Sequence, residues 1–193
     1  QMDSGSIDLA ILDGEATPAG GIGIAKQLKD EIHNCPPIVV LTGGDPFERP
    51  DLAELVAHGA AAGLSMALSP SVTPRLTREV LIELRDAGAR AISLSLDGAS
   101  ASSHDGFRGV EGVFDATLQA AQWVREVGLR LQINTTVTAD TVGELPEVLA
   151  SVVAFEAGLW SVFFLVPTGR GDNLRPLPAD EVEEVLHWLN EVG

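Results

Sequence analysis

Short apolar runs of strand length alternate with segments of helical period along the whole chain, the pattern of repeated β/α units. Strands are predicted at 7–13, 37–42, 64–69, 91–97, 130–137 and 159–166, each rich in Val, Ile, Leu or Phe, and helices at 22–33, 51–62, 77–87, 113–127, 142–155 and 179–191. Gly63, Gly88, Gly128 and Gly158 each stand between a helical stretch and the next strand, where a left-handed residue closes a helix at little cost. No linker or composition break interrupts the series, so residues 1–193 read as a single α/β domain with a terminal helix in 171–193. Strands joined by crossover helices run parallel, and right-handed crossovers leave two architectures: a parallel (βα)6 partial TIM-type barrel, or a doubly wound, flavodoxin-like open sheet.

Alternation within the strands favours the barrel. Ser93, Ser95 and Asp97 share one face and Ile92, Leu94 and Leu96 the other; Gln132, Asn134 and Thr136 oppose Leu131, Ile133 and Thr135; Ser65 and Ser69 oppose Leu64, Met66 and Leu68. A doubly wound sheet has helices on both faces and expects nearly continuous apolar strands. Neighbouring polar rows instead suggest a lumen holding a polar ligand, the alternative being core hydroxyls bonded to backbone carbonyls.

Charge narrows the partners. The 12 Lys plus Arg against 28 Asp plus Glu give a net charge of −16. No basic cluster interrupts this, so neither nucleic acid nor an acidic lipid surface is expected. No apolar run approaches the roughly 18 residues of a membrane span, and residues 1–6 lack the basic start and apolar run of a signal peptide. The single cysteine, Cys35, allows no intrachain disulfide and no Cys-only metal site, which suits a reducing cytoplasm. The opening on Gln1 and the close on Gly193, directly after a helical pattern, suggest a piece of something longer.

Ligands of parallel α/β folds bind beyond the carboxyl ends of the strands. There the chain carries Thr42-Gly43-Gly44-Asp45-Pro46, where two glycines can bring bare backbone close to a ligand. It also carries Ser95-Leu96-Asp97-Gly98, followed by His104-Asp105-Gly106-Phe107-Arg108-Gly109. Asp97 could accept from sugar hydroxyls and Arg108 could clamp a carboxylate, or the two could pair with each other. The loop Val166-Pro167-Thr168-Gly169-Arg170 could read a purine edge through its backbone. His33, His58 and His187 fall on predicted helices away from these ends, while His104 lies in the rim loop, where a hydrogen bond that shapes the loop is the expected role. No metal site and no catalytic residue can be named.

Taken in order, Leu41-Thr42-Gly43-Gly44-Asp45-Pro46-Phe47, Ser95-Leu96-Asp97-Gly98 with His104-Asp105 and Arg108-Gly109, Ile133-Asn134-Thr135-Thr136-Val137 and Val166-Pro167-Thr168-Gly169-Arg170 resemble the radical S-adenosylmethionine (SAM) superfamily over about 36–170. The likeness is to its SPASM-associated branch, which modifies peptides and matures cofactors. The resemblance implies an oxidoreductase core with a partial barrel. Gly43, Gly44 and Asp45 would hold the SAM amino group, and Ser95 and Asp97 would lie near its ribose or carboxylate. Ser69, Asn134 and Arg108 would be neighbours, and Val166, Pro167 and Thr168 would flank adenine. The family also binds a 4Fe-4S cluster through CxxxCxxC after the first strand, and that stretch here, Asp13-Gly14-Glu15-Ala16-Thr17-Pro18-Ala19-Gly20-Gly21, has no cysteine.

Residues 7–42 resemble part of a response-regulator receiver domain, with Asp13 at the phosphate-accepting position and Thr42 at the hydroxyl one strand later. Both resemblances end in the strand 37–42, so the chain reads as a truncated or hybrid SAM-binding core, inactive in radical chemistry, or alternatively as a receiver-like signalling or nucleotide-binding module. Open strand edges make self-association a hazard.

Overall fold

The computed structural model describes residues 10–13, 38–42, 44–167 and 173–193, with 10–13 and 38 described by backbone alone. The predicted helix at 22–33, Cys35, Gly43 and Thr168 lie outside the described residues. The strands are β1 (Ala10–Asp13), β2 (Ile38–Thr42), β3 (Ser65–Leu68), β4 (Ala89–Ser95), β5 (Arg130–Val137) and β6 (Leu159–Phe164). Their order in the sheet follows their order in sequence, and β1 to β4 pair in parallel, β1 and β2 through Asp13 opposite Thr42. A register shift between Met66 and Ala67 leaves Arg90 of β4 without an opposite number. Helices are α1 (Leu52–Ala61), α2 (Arg78–Ala87), α3 (Ala101–Arg108), α4 (Val113–Val127), α5 (Leu145–Ala154) and α6 (Ala179–Val192). The chain divides into two compact units, Gln1–Leu94 with Ala116–Gln132, and Ser95–Asp115 with Ile133–Gly193.

In the first unit, α1 buries Leu52, Leu55, Val56 and Gly59, the spacing of one helical face. Thr77 caps α2 by accepting from the Val80 N–H at 3.3 Å, and α2 buries Leu81 and Leu84. Gly88 follows at φ 112, and a Cβ there would stand 2.5 Å from the Ala60 Cβ. Left-handed backbone and close approach therefore both require glycine at this position. Met66 and Leu68 are buried while Ser65 and Ala67 are half-buried, the alternation predicted for β3.

In the second unit, Val137, Leu145 and Val185 form a buried cluster joined by Val142, Trp160, Val162, Phe164, Leu177, Trp188 and Leu189. Trp160 and Trp188 meet edge to face at 6.2 Å, a geometry that suits the ring quadrupoles. The Trp160 Nε1–H donates to Thr135 Oγ1 at 2.9 Å, and that hydroxyl donates to the Leu96 carbonyl at 2.8 Å. A half-buried indole and a buried hydroxyl thus satisfy each other.

Two local expectations need correction. The segment after β4, read as a loop, contains α3. Gly158 does not end α5; Glu156 takes the left-handed conformation there, at φ 52.

Candidate functional site

β4 and β5 deliver the principal cluster of the second unit. Asp97, two residues beyond β4, is 1% exposed. Its Oδ1 accepts from the Thr136 N–H of β5 at 2.7 Å, and its Oδ2 lies 2.6 Å from Arg108 Nη2. The second contact is ionic, because it lacks the alignment of a directed hydrogen bond. The Asp97 N–H donates to His104 Nδ1 at 3.0 Å. His104 is itself buried at 1% exposure and faces the Phe114 ring at 6.0 Å between centroids. Burial holds its pKa below the ordinary 6.5, with the Arg108 charge acting in the same direction and Asp97 and Asp105 against it.

α3 exists because its ends are satisfied. Its eight residues include two serines and a glycine, a composition of low helix propensity. Ser100 Oγ accepts from the Ser103 N–H at 3.3 Å, the Ser100 N–H donates to Ser103 Oγ at 3.2 Å, and Gly109 closes the helix at φ 69. This is a capping box followed by a left-handed stop. Glu144 adds a carboxylate: its Oε2 accepts from the Ala99 N–H and from Ser103 Oγ, both at 2.6 Å. Asp105 accepts from the Gly112 and Phe114 N–H groups at 2.6 and 2.7 Å, tying α3 to the start of α4. The result fixes Arg108, whose side chain remains 36% exposed, so that one edge of its guanidinium meets Asp97 while donors remain open to solvent.

The structure therefore joins Asp97 and Arg108 as an ion pair. Ser95, at the end of β4, and Asn134, within β5, are half-buried; the Asn134 carbonyl accepts from the Leu96 N–H at 2.8 Å. Ser93, placed in the same polar row, is instead 8% exposed, its hydroxyl directed at the Leu68 carbonyl 3.5 Å away. Val166 and Pro167 are exposed beyond β6. In the first unit, Asp45 caps the 3₁₀ turn Pro46–Glu48 through the Phe47 N–H at 3.1 Å, and also accepts from the Ser71 N–H at 3.3 Å. It clamps two loops. Gly44 is exposed, with open space at its Cβ position, and Ser69 is half-buried, its N–H donating to the Leu41 carbonyl at 3.0 Å. Glu144 escaped sequence reasoning because nothing local marks it. The Ser100-x-x-Ser103 spacing was a legible capping signal.

No group of three His, Cys, Asp or Glu side chains among the described residues could hold a metal ion. No helix among them is long and apolar enough to cross a membrane.

Known proteins resemble this chain in sequence and fold. The model of the radical SAM superfamily matches residues 21–152. An AdoMet-dependent heme synthase of Methanosarcina barkeri is 39% identical over 180 residues, covering 92% of this chain and 51% of that protein. This chain thus spans about half the length of the curated relatives it matches. A crystal structure of Streptococcus suis SuiB bound to S-adenosylmethionine superposes with a TM-score of 0.72 at 18% identity, covering 88% of this chain and 39% of the other. An uncharacterized response regulatory protein of Mycobacterium tuberculosis is 55% identical over 82 residues, 42% of this chain and 58% of that protein. The receiver likeness therefore reaches beyond 7–42. The fold is the partial parallel barrel rather than the doubly wound sheet.

Proposed function

This chain belongs to the radical SAM superfamily, and we propose that it binds S-adenosylmethionine as a core domain without radical chemistry of its own. The observation that carries the reading is Arg108, held by a buried carboxylate at the end of β4 while part of its fork stays accessible. A cation fixed in this way matches the methionyl carboxylate of SAM. Ser95 and Asn134 supply a hydroxyl and an amide for ribose, and Val166 and Pro167 supply apolar surface for adenine. Asp97 acts mainly by orienting Arg108, because Thr136 and Arg108 already engage its oxygens. The Gly43, Gly44 and Asp45 loop keeps the role that the resemblance gives it. The chemistry of these second-unit groups, a fixed cation, a hydroxyl and apolar surface, supports the reading.

The cluster is different. When bound in this family, a 4Fe-4S cluster supplies the electron that cleaves SAM. Its three thiolates cannot come from a chain with one cysteine, and oxygen donors are poor substitutes at iron. No radical step is therefore derived. The relatives named as heme synthases suggest a tetrapyrrole-class substrate for a parent protein carrying those cysteines. A cytoplasmic setting suits the reading, and self-association through β6, where Leu159 and Phe163 are exposed, is checked by light scattering.

Calorimetry with S-adenosylhomocysteine tests the reading. Binding with micromolar affinity is expected, weakened about tenfold or more in Arg108→Met, with circular dichroism confirming that the variant folds. Absence of binding in the folded wild type would refute it. Anaerobic iron and sulfide reconstitution should give no stoichiometric cluster absorption.

The 55% identity to a response regulatory protein, with Asp13 opposite Thr42 in adjacent parallel strands, favours a second reading as a phosphate acceptor. In that reading the Asp13 carboxylate attacks the phosphorus of acetyl phosphate and acetate leaves. A mass gain with magnesium and acetyl phosphate, lost in Asp13→Asn, would support it.

A further inference from the structure

We propose that His104 is a positioning residue: as a neutral imidazole accepting at Nδ1, it fixes the Asp97 main chain so that the Asp97 carboxylate holds Arg108 at the end of β4, and acidification undoes that arrangement. The hydrogen bond itself stands on geometry. A backbone N–H can only donate, so the 3.0 Å contact from Asp97 N to His104 Nδ1 requires a lone pair on Nδ1 and places the proton of the neutral ring on Nε2. An imidazolium would set one N–H against another. The ring has no room to turn away, being buried under Phe114 and carried on a helix locked at both ends. The charged groups around it are Asp97 from the end of β4 and Asp105 and Arg108 from α3, with Glu144 engaging the neighbouring Ser103. The Asp105 carboxylate is occupied by the Gly112 and Phe114 amides, and that of Asp97 by Thr136 and Arg108. Neither offers the imidazolium an uncommitted partner, and burial pushes the ring toward neutrality.

The consequence for ligand affinity rests on the SAM-binding reading above; the hydrogen bond and tautomer do not. The test uses the full chain labelled with ¹⁵N. Long-range imidazole correlations at pH 7.5 should show His104 as the Nε2–H tautomer, and the Asp97 amide should be protected from exchange. His104→Asn, whose Oδ1 can accept where Nδ1 does but cannot titrate, should keep that protection. His104→Leu should lose it by about tenfold or more. S-adenosylhomocysteine affinity should be lower at pH 5.5 than at pH 7.5 in wild type, by less than about tenfold because the ring's pKa lies below 6.5, and stay level in His104→Asn. An Nδ1–H tautomer, unchanged Asp97 protection in His104→Leu, or equal pH dependence of affinity in wild type and His104→Asn would each overturn the proposal. If the ligand binds at no pH, the SAM reading fails while tautomer and exchange still decide the role of His104. If His104→Leu does not fold, the wild-type tautomer and the His104→Asn protection decide it.

Discussion

Single residues set the geometry after β4, and Gly98 is the least replaceable of them. A Cβ there would stand 2.4 Å from Ser103 Oγ and 2.8 Å from the His104 backbone nitrogen. The hydroxyl can rotate, but the backbone of a capped helix cannot recede. Gly98→Ala should therefore cost about 2–3 kcal/mol through overpacking, read as a lower urea midpoint at unchanged m-value. His104 contributes at the same scale through protons. Its folded pKa lies below 6.5, so the unfolded chain binds the proton more readily. Stability is then level above about 6.5 and falls as pH drops toward the lowered folded value, by at most ~1.4 kcal/mol per pH unit. Carboxylates titrate in wild type and variant alike. The difference between the wild-type and His104→Asn curves isolates the histidine and should open below pH 6.5.

At the scale of elements, α3 separates what the sequence made legible from what it did not. β5 and α4 follow directly from period and composition, because each buries a regular stripe. The β5 pattern places Leu131, Ile133, Thr135 and Val137 inside with Gln132, Asn134 and Thr136 half-buried. α3 has no such stripe. His104 is its buried residue, and what stabilises it is the capping box together with Glu144, 41 residues from Ser103. A contact at that separation leaves no local trace in the chain. The same reasoning explains the end of α5, where Glu156 rather than Gly158 turns left-handed: the helix stops sooner than the glycine spacing suggests. Two opposed substitutions test this account of α3. Glu144→Gln weakens the contacts to Ala99 and Ser103 and should lower stability by about 1–2 kcal/mol. Gly106 lies inside the helix with open space at its Cβ position, so Gly106→Ala should raise stability by about 0.5–1 kcal/mol. Chemical denaturation reads both; a destabilised Gly106→Ala would show that α3 is not held as described.

Across the whole molecule, the alternating β/α order was legible from punctuation and period, and so was the choice of a barrel, from polar rows on β3, β4 and β5. The ion pairing of Asp97 with Arg108 was not decided, because a carboxylate and a guanidinium near one rim suit a ligand as well as each other. Charge has its own consequence at this scale. Arg49, Arg75, Arg78, Arg85 and Arg175 pair with Asp51, Glu48, Glu126, Asp86 and Asp140 at solvent-accessible sites, with Arg49 alone of the ten half-buried by its side chain. Exposed pairs contribute about 0–1 kcal/mol each and weaken with salt. Against them stands an excess of acidic residues, 28 − 12 = 16, whose mutual repulsion acts on the compact state and is screened over a Debye length of about 10 Å at 0.1 M. Repulsion among so many carboxylates extends over longer distances than the paired contacts, so screening relieves more than it removes. The midpoint of thermal unfolding at pH 7.5 should therefore rise by a few degrees between 0.02 and 0.3 M sodium chloride, on the order of 1 kcal/mol. The Asp97–Arg108 pair is shielded on its carboxylate side and should change little over that range. A midpoint that falls with salt would mean that the surface pairs, and not the net charge, dominate the electrostatics of folding.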